Sequence, residues 1–172
     1  MYTIISGTNR PGSITRKFSE VYEEMLRATG AEVNYFHLEK LPEAIFHCDV
    51  YEKVKHPDIQ AIQDLFAHTD KYIFIFPEYN GSYPGILKLV VDVMDPRIAF
   101  HHKKAGMIGI STGRAGNLRG LDQFASVLHH MNVTVMPYLL PVSKVQAELT
   151  EGHLSEVTYK VVLHHLQRML DF

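Results

Sequence analysis

The chain has 172 residues, 46% hydrophobic and 21% charged, with a formal charge of −2. That is one ordinary domain with enough apolar residues to fill a core, and it lacks the basic excess that nucleic-acid binding needs. The lone cysteine, Cys48, excludes an intrachain disulfide. Without a basic leader or an apolar run near the ~20 residues that span a bilayer, a cytoplasmic protein with no membrane contact is expected.

Short apolar runs alternate with amphipathic stretches along the chain. Tyr2–Ser6 reads as a strand. Thr15–Thr29 reads as a helix with Phe18, Val21, Tyr22, Met25 and Leu26 on one stripe, and Gly30 stands where the helix must turn left-handed. Glu32–His37 reads as a second strand, followed by an irregular stretch to His56. Pro57–His68 reads as a helix with proline in its first turn. Lys71–Phe76 is continuously apolar after its first residue, as a central parallel strand buried on both faces would be. A helix at Gly85–Met94, a strand at Ala105–Ile110, a helix at Leu118–Met131, a strand at Val133–Met136 and a closing helix at Ser155–Leu170 complete the series. This β-α repetition predicts an α/β fold. The expected sheet has five parallel strands in the flavodoxin-like order 2-1-3-4-5, with helices on both faces.

In such a sheet a ligand sits beyond the carboxyl ends of the strands, where the strand order reverses. The loops after strands one, three and four meet there. The first runs Ser6-Gly7-Thr8-Asn9-Arg10-Pro11-Gly12-Ser13-Ile14-Thr15. Its glycines, hydroxyls and arginine at the start of a helix suit a phosphate monoester, although a plain capping turn has the same residues. Ser13 stands where a Walker A lysine would be, and Asn9 replaces the second glycine of a dinucleotide fingerprint. Cys48 lies too far away to be a phosphatase nucleophile in this loop.

The second loop is Pro77-Glu78-Tyr79-Asn80-Gly81-Ser82-Tyr83-Pro84-Gly85. Its amides can bond a heteroaromatic edge and Tyr79 can cover a ring, while Pro, Asn and Gly also suit an ordinary turn. The third is Ser111-Thr112-Gly113-Arg114-Ala115-Gly116-Asn117, small enough to admit a flat ligand. Three such loops meeting at one point argue more strongly than any one of them.

These segments resemble the NADPH-dependent FMN reductase family, which includes quinone, chromate and azo-dye reductases. The likeness runs from Ile4 to about Val135. Its most specific part is P-x-Y-N-x-S, present as Pro77 to Ser82 and followed by P-G-x-L-K at Pro84 to Lys88. The G-S/T-x-R-x-x-S opening appears as Gly7 to Ser13. The chain departs from the pattern L-K-N-A-x-D-W at Leu87 to Val93, where asparagine and tryptophan are replaced.

By resemblance, Thr8, Arg10, Ser13 and Thr15, with Ile14 beside them, would hold the FMN phosphate. Pro77, Glu78, Tyr79, Asn80, Gly81 and Ser82 would meet the ribityl chain and isoalloxazine. Ser111, Gly113 and Gly116 would border the ring. The implied activity moves hydride from NAD(P)H, through FMN, to a small electron acceptor. The alternative is an electron-carrier flavodoxin. No side chain is expected as nucleophile or base, because the cofactor carries the chemistry.

The nearly all-apolar Ile86–Met94 segment suggests a helix with Val90 on an outer face, packed in a homodimer or homotetramer. The pairs His101-His102, His129-His130 and His164-His165 read as surface histidines rather than a metal site, and Lys103-Lys104 as a solvated strand entrance. His47-Cys48-Asp49 is a lone triplet with weak metal-binding character.

Overall fold

The computed structural model describes residues 1–47 and 56–172. In chain order the strands are β1 (Tyr2–Ser6), β2 (Val33–His37), β3 (Lys71–Pro77), β4 (Lys104–Ile110), β5 (Thr134–Val135), β6 (Leu140–Val142), β7 (Leu149–Thr150) and β8 (His153–Leu154). The helices are α1 (Ile14–Arg27), α2 (Pro57–Ala67), α3 (Gly85–Val93), α4 (Pro96–Ala99), α5 (Leu118–His130), α6 (Val145–Glu148) and α7 (Glu156–Asp171). Two short 3-10 turns, Leu38–Lys40 and Glu43–Phe46, occupy part of the stretch expected to be irregular. Cys48 and Asp49 of the His47 triplet lie outside the described residues.

The main sheet is parallel and runs β2-β1-β3-β4-β5, as expected, with β6 also paired to β4. The apolar run of β3 explains its central place. Tyr72, Phe74 and Phe76 point into one core with α2, α3 and α5. Ile73 and Ile75 point into the opposite core with α1 and α7. A strand covered on both faces needs no polar alternation. On α1, Phe18, Tyr22 and Leu26 recur every four residues and are fully buried. Ser13 caps that helix by accepting the Arg16 N–H at 3.2 Å, and the chain leaves it through Gly30 at φ +84°.

The last position of the sheet departs from the expected Val133–Met136 strand. Thr134 and Val135 pair with the start of β4, and the Met136 N–H bonds the Ala105 carbonyl at 2.8 Å. Pro137 then has no N–H to continue the ladder. The chain leaves the edge and rejoins it at Leu140, opposite Ile108. Pro141 is tolerated because β6 is an edge strand. This break carries the chain to the carboxyl end of the sheet.

Three surface readings are corrected. Val90 is 1% exposed and belongs to the core, together with Leu87, Val91 and Val93. The polar edge of α3 is Lys88 and Asp92, which pair at 2.6 Å. Lys103 and Lys104 are helix caps rather than solvated charges. Lys103 Nζ donates to the Phe66 and Ala67 carbonyls at the end of α2, and Lys104 Nζ donates to the Phe172 carbonyl beyond α7.

His165 is the third correction. Its neighbour His164 is exposed, but adjacent helical residues point about 100° apart, and that turns His165 inward. His165 is 0% exposed, with Nδ1 3.0 Å from the Tyr22 hydroxyl. Burial pushes its pKa down to about 4, from an ordinary value of 6.5. The unfolded chain therefore takes up this proton first as pH falls. Stability from the neutral histidine is full above pH 6.5 and is lost progressively toward pH 4. That loss amounts to about 3 kcal/mol. Urea denaturation of His165→Gln, which keeps a hydrogen-bonding group for Tyr22 but cannot titrate, should show a flatter pH slope than wild type. Coincident slopes would contradict this.

Candidate functional site

The first, second and third loops do meet. With a fourth segment after β6 they enclose a cleft of about 490 Å³ at the carboxyl edge of the sheet. Its walls are Arg10 to Thr15, Pro77 to Tyr79, Ile110 to Thr112, and Val145 with Gln146.

The first loop is drawn against the sheet at Gly7. Its N–H bonds the Ile75 carbonyl at 2.8 Å, and a Cβ there would stand 2.7 Å from Phe76 Cβ. The loop then turns through Gly12 at φ +64° into the Ser13 cap. The N–H groups of Ile14 and Thr15, in the first turn of α1, have no hydrogen-bond partner among the described residues. They belong to the cleft wall, where the helix dipole favours an anion. Ser13 keeps its O–H to donate while its oxygen caps Arg16. Arg10 is exposed and forms no ion pair among the described residues, whereas Arg16 is held by Glu20 and Glu39 at 2.8 and 3.2 Å.

Thr8 is placed differently from the expectation. It is 1% exposed and does not line the cleft. Its Oγ1 accepts the Arg10 N–H at 3.3 Å and lies 2.7 Å from the Tyr79 hydroxyl.

In the second loop the Glu78 N–H bonds the Ile110 carbonyl at 2.9 Å, fixing the wall to β4. Tyr79 and Ser82 then exchange backbone hydrogen bonds of 2.9 and 3.1 Å around Asn80 and Gly81. These two residues have φ of +52° and +80°, the left-handed pair that favours Asn-Gly in a tight hairpin. Asn80 and Gly81 are accounted for by this turn and stand outside the cleft wall. The Ser82 hydroxyl donates to Gln123 on α5, also outside it.

The third loop is braced from within. Ser111 Oγ donates to the Gly113 carbonyl at 3.2 Å and accepts the Gly116 N–H at 3.0 Å. Ser111 borders the cleft, and Gly113 is exposed beside open space. Gly116 serves packing: at φ +56°, a Cβ would lie 2.7 Å from the Pro141 backbone. Asn117, wholly buried at φ +63°, donates from Nδ2 to the Phe76 carbonyl at 3.4 Å and joins this loop to the base of the second.

Val145 and Gln146 escaped the sequence reading. Val145 N–H bonds the Ser111 carbonyl at 3.0 Å and Lys144 N–H the Gly113 carbonyl at 2.9 Å, which seats this segment on the third loop. No local motif signals this, because it depends on the broken edge strand. Among the described residues there is no helix long and apolar enough to cross a membrane.

The profile of the NADPH-dependent FMN reductase family matches residues 2–147, a stretch that ends just past Gln146 and so holds all four segments of the cleft. An NAD(P)H-dependent FMN reductase of Pseudomonas aeruginosa is 28% identical over 133 residues, covering 75% of this chain and 69% of its own. An FMN-dependent NADH:quinone oxidoreductase of Bacillus velezensis is 27% identical over 114 residues, covering 61% of this chain and 54% of its own. Among solved structures, the flavoenzyme NAD(P)H:(acceptor) oxidoreductase FerB of Paracoccus denitrificans superposes with a TM-score of 0.81 at 24% identity, covering 99% of this chain and 94% of its own. A flavodoxin of Streptococcus pneumoniae shares the fold at a TM-score of 0.66 and 13% identity, covering 99% of this chain and 97% of its own. On the extent of the family match, the chain belongs to the NADPH-dependent FMN reductase family.

Proposed function

We propose that this protein is an FMN-dependent oxidoreductase. It takes hydride from NAD(P)H and reduces a small acceptor such as a quinone, a free flavin, an azo compound or a metal oxyanion. The observation that carries this reading is the cleft itself. An anion-ready helix start faces walls built from two loops around a switch point of the sheet.

The free N–H groups of Ile14 and Thr15, the Ser13 hydroxyl and Arg10 are assigned to the FMN phosphate. Pro77, Glu78, Tyr79, Ser111 and Thr112 are assigned to the ribityl and ring walls. Thr8, Asn80, Gly81, Ser82 and Gly116 support those walls, and Gly113 leaves space beside them. FMN, when bound, supplies the hydride chemistry. The chain's own part is to hold, orient and partly desolvate it. Self-association as a homodimer or homotetramer belongs to the same proposal. A cleft of about 520 Å³ between α3 and α5 supports it, with Val91, Met94, Val127 and Met131 in its walls beside Lys88, Asp92, Ser126 and His130.

The test is direct. Protein incubated with FMN and desalted should be yellow, and the flavin released by heat should chromatograph as FMN. A protein that stays colourless and shows no FMN binding by calorimetry would overturn the reading.

A further inference from the structure

The contact between Thr8 and Tyr79 joins residues 71 positions apart, and its 2.7 Å separation is ideal for a hydroxyl pair. Among the described residues it is the one side-chain hydrogen bond that ties the first loop to the second. Both ends are otherwise fixed. Thr8 is buried and accepts the Arg10 N–H, so it shapes the loop that carries the unpaired arginine. The Tyr79 backbone is held in its hairpin by Ser82, and its ring borders the cleft while remaining 37% exposed.

We infer that Thr8 and Tyr79 form a latch, setting the spacing between the anion loop and the ring wall, and that neither hydroxyl is a direct ligand of FMN. This rests on the cleft being the FMN site. A ligand that spans both loops gains from having them prealigned, because less ordering is left to do on binding. A ligand that touches one loop gains nothing. The latch is therefore a selector for flavin that carries its phosphate, and Thr8 and Tyr79 are positioning residues.

The experiment is a double-mutant cycle on the apoprotein. Affinities are measured by calorimetry for FMN and riboflavin, and for inorganic phosphate by competition with FMN. The variants are Thr8→Val, Tyr79→Phe and the double substitution, with folding checked by circular dichroism. Each single change should weaken FMN about tenfold, as the loss of one hydrogen bond allows, and the double change no further. For Thr8→Val the riboflavin and phosphate affinities should stay within about twofold, for Tyr79→Phe the riboflavin loss should be clearly smaller than the FMN loss, and Thr8→Ser, which keeps the hydroxyl, should restore FMN binding.

Three results would overturn the latch. Additive losses would show two independent contacts. A Thr8→Val loss equal for phosphate and FMN would make Thr8 a phosphate ligand. A Tyr79→Phe loss equal for riboflavin and FMN would make the phenol a ring contact. If wild type binds no FMN, the assignment of the cleft fails first, and that outcome is distinct from all three.

Discussion

Arg10→Ala should weaken FMN binding about 10- to 100-fold and leave riboflavin binding nearly unchanged. The arginine stands on the anion loop, lines the cleft and has no carboxylate partner among the described residues. A charge-assisted hydrogen bond to a phosphate is worth about 1.5–3 kcal/mol. The other donors near it, the Ile14 and Thr15 N–H groups, belong to the backbone and survive the substitution. Part of the phosphate affinity therefore remains. Riboflavin lacks the phosphate and should not register the loss. Calorimetric titration of both ligands decides the matter, and equal losses would show that Arg10 does not serve the phosphate. Arg10→Lys should recover part of the affinity, because it restores the charge without the guanidinium fork.

The second large effect is on stability. Val90→Asp should leave the chain unfolded or aggregated. Val90 is 1% exposed, in the core that α3 shares with β3, α2 and α5. A carboxylate there finds no water and no cation, and the cost exceeds about 4 kcal/mol, a large share of a domain's total stability. Lys88→Ala is the control on the same helix. It removes an exposed pair with Asp92 and should change stability by less than about 1 kcal/mol. Thermal melts by circular dichroism separate the two. If Val90→Asp melted like wild type and changed only the mass seen by light scattering, Val90 would belong to a subunit interface instead.

The contrast between these residues shows what can be read from sequence. Periodicity located α1 and β3, because the stripe Phe18-Tyr22-Leu26 and the run Tyr72–Phe76 carry their own geometry. Turn chemistry was legible in part: Pro, Asn and Gly marked a turn in the second loop and the hydroxyls of the first loop a capping turn, without giving the hairpin at Asn80-Gly81. Where two readings of one local pattern compete, sequence alone does not decide. A mostly apolar helix such as α3 looks the same whether its apolar residues enter the chain's own core or meet another subunit, and the His164-His165 pair does not announce which ring turns inward. Contacts between distant residues leave no local mark. The Thr8 to Tyr79 bond, the fit of Gly116 against Pro141, and Gln146 in the cleft all depend on how loops far apart in the chain are brought together.

The measurement that bears most directly on the central claim is anaerobic reduction of the FMN-loaded protein. NADPH and, separately, NADH are mixed with it while the flavin absorbance is followed, and a quinone is then added. An enzyme of this kind should bleach rapidly with at least one nicotinamide and regain its colour on adding quinone, with ping-pong kinetics under steady-state turnover, because both substrates would use the same site in turn. A flavin that dithionite bleaches but neither nicotinamide does would contradict the account and favour an electron carrier.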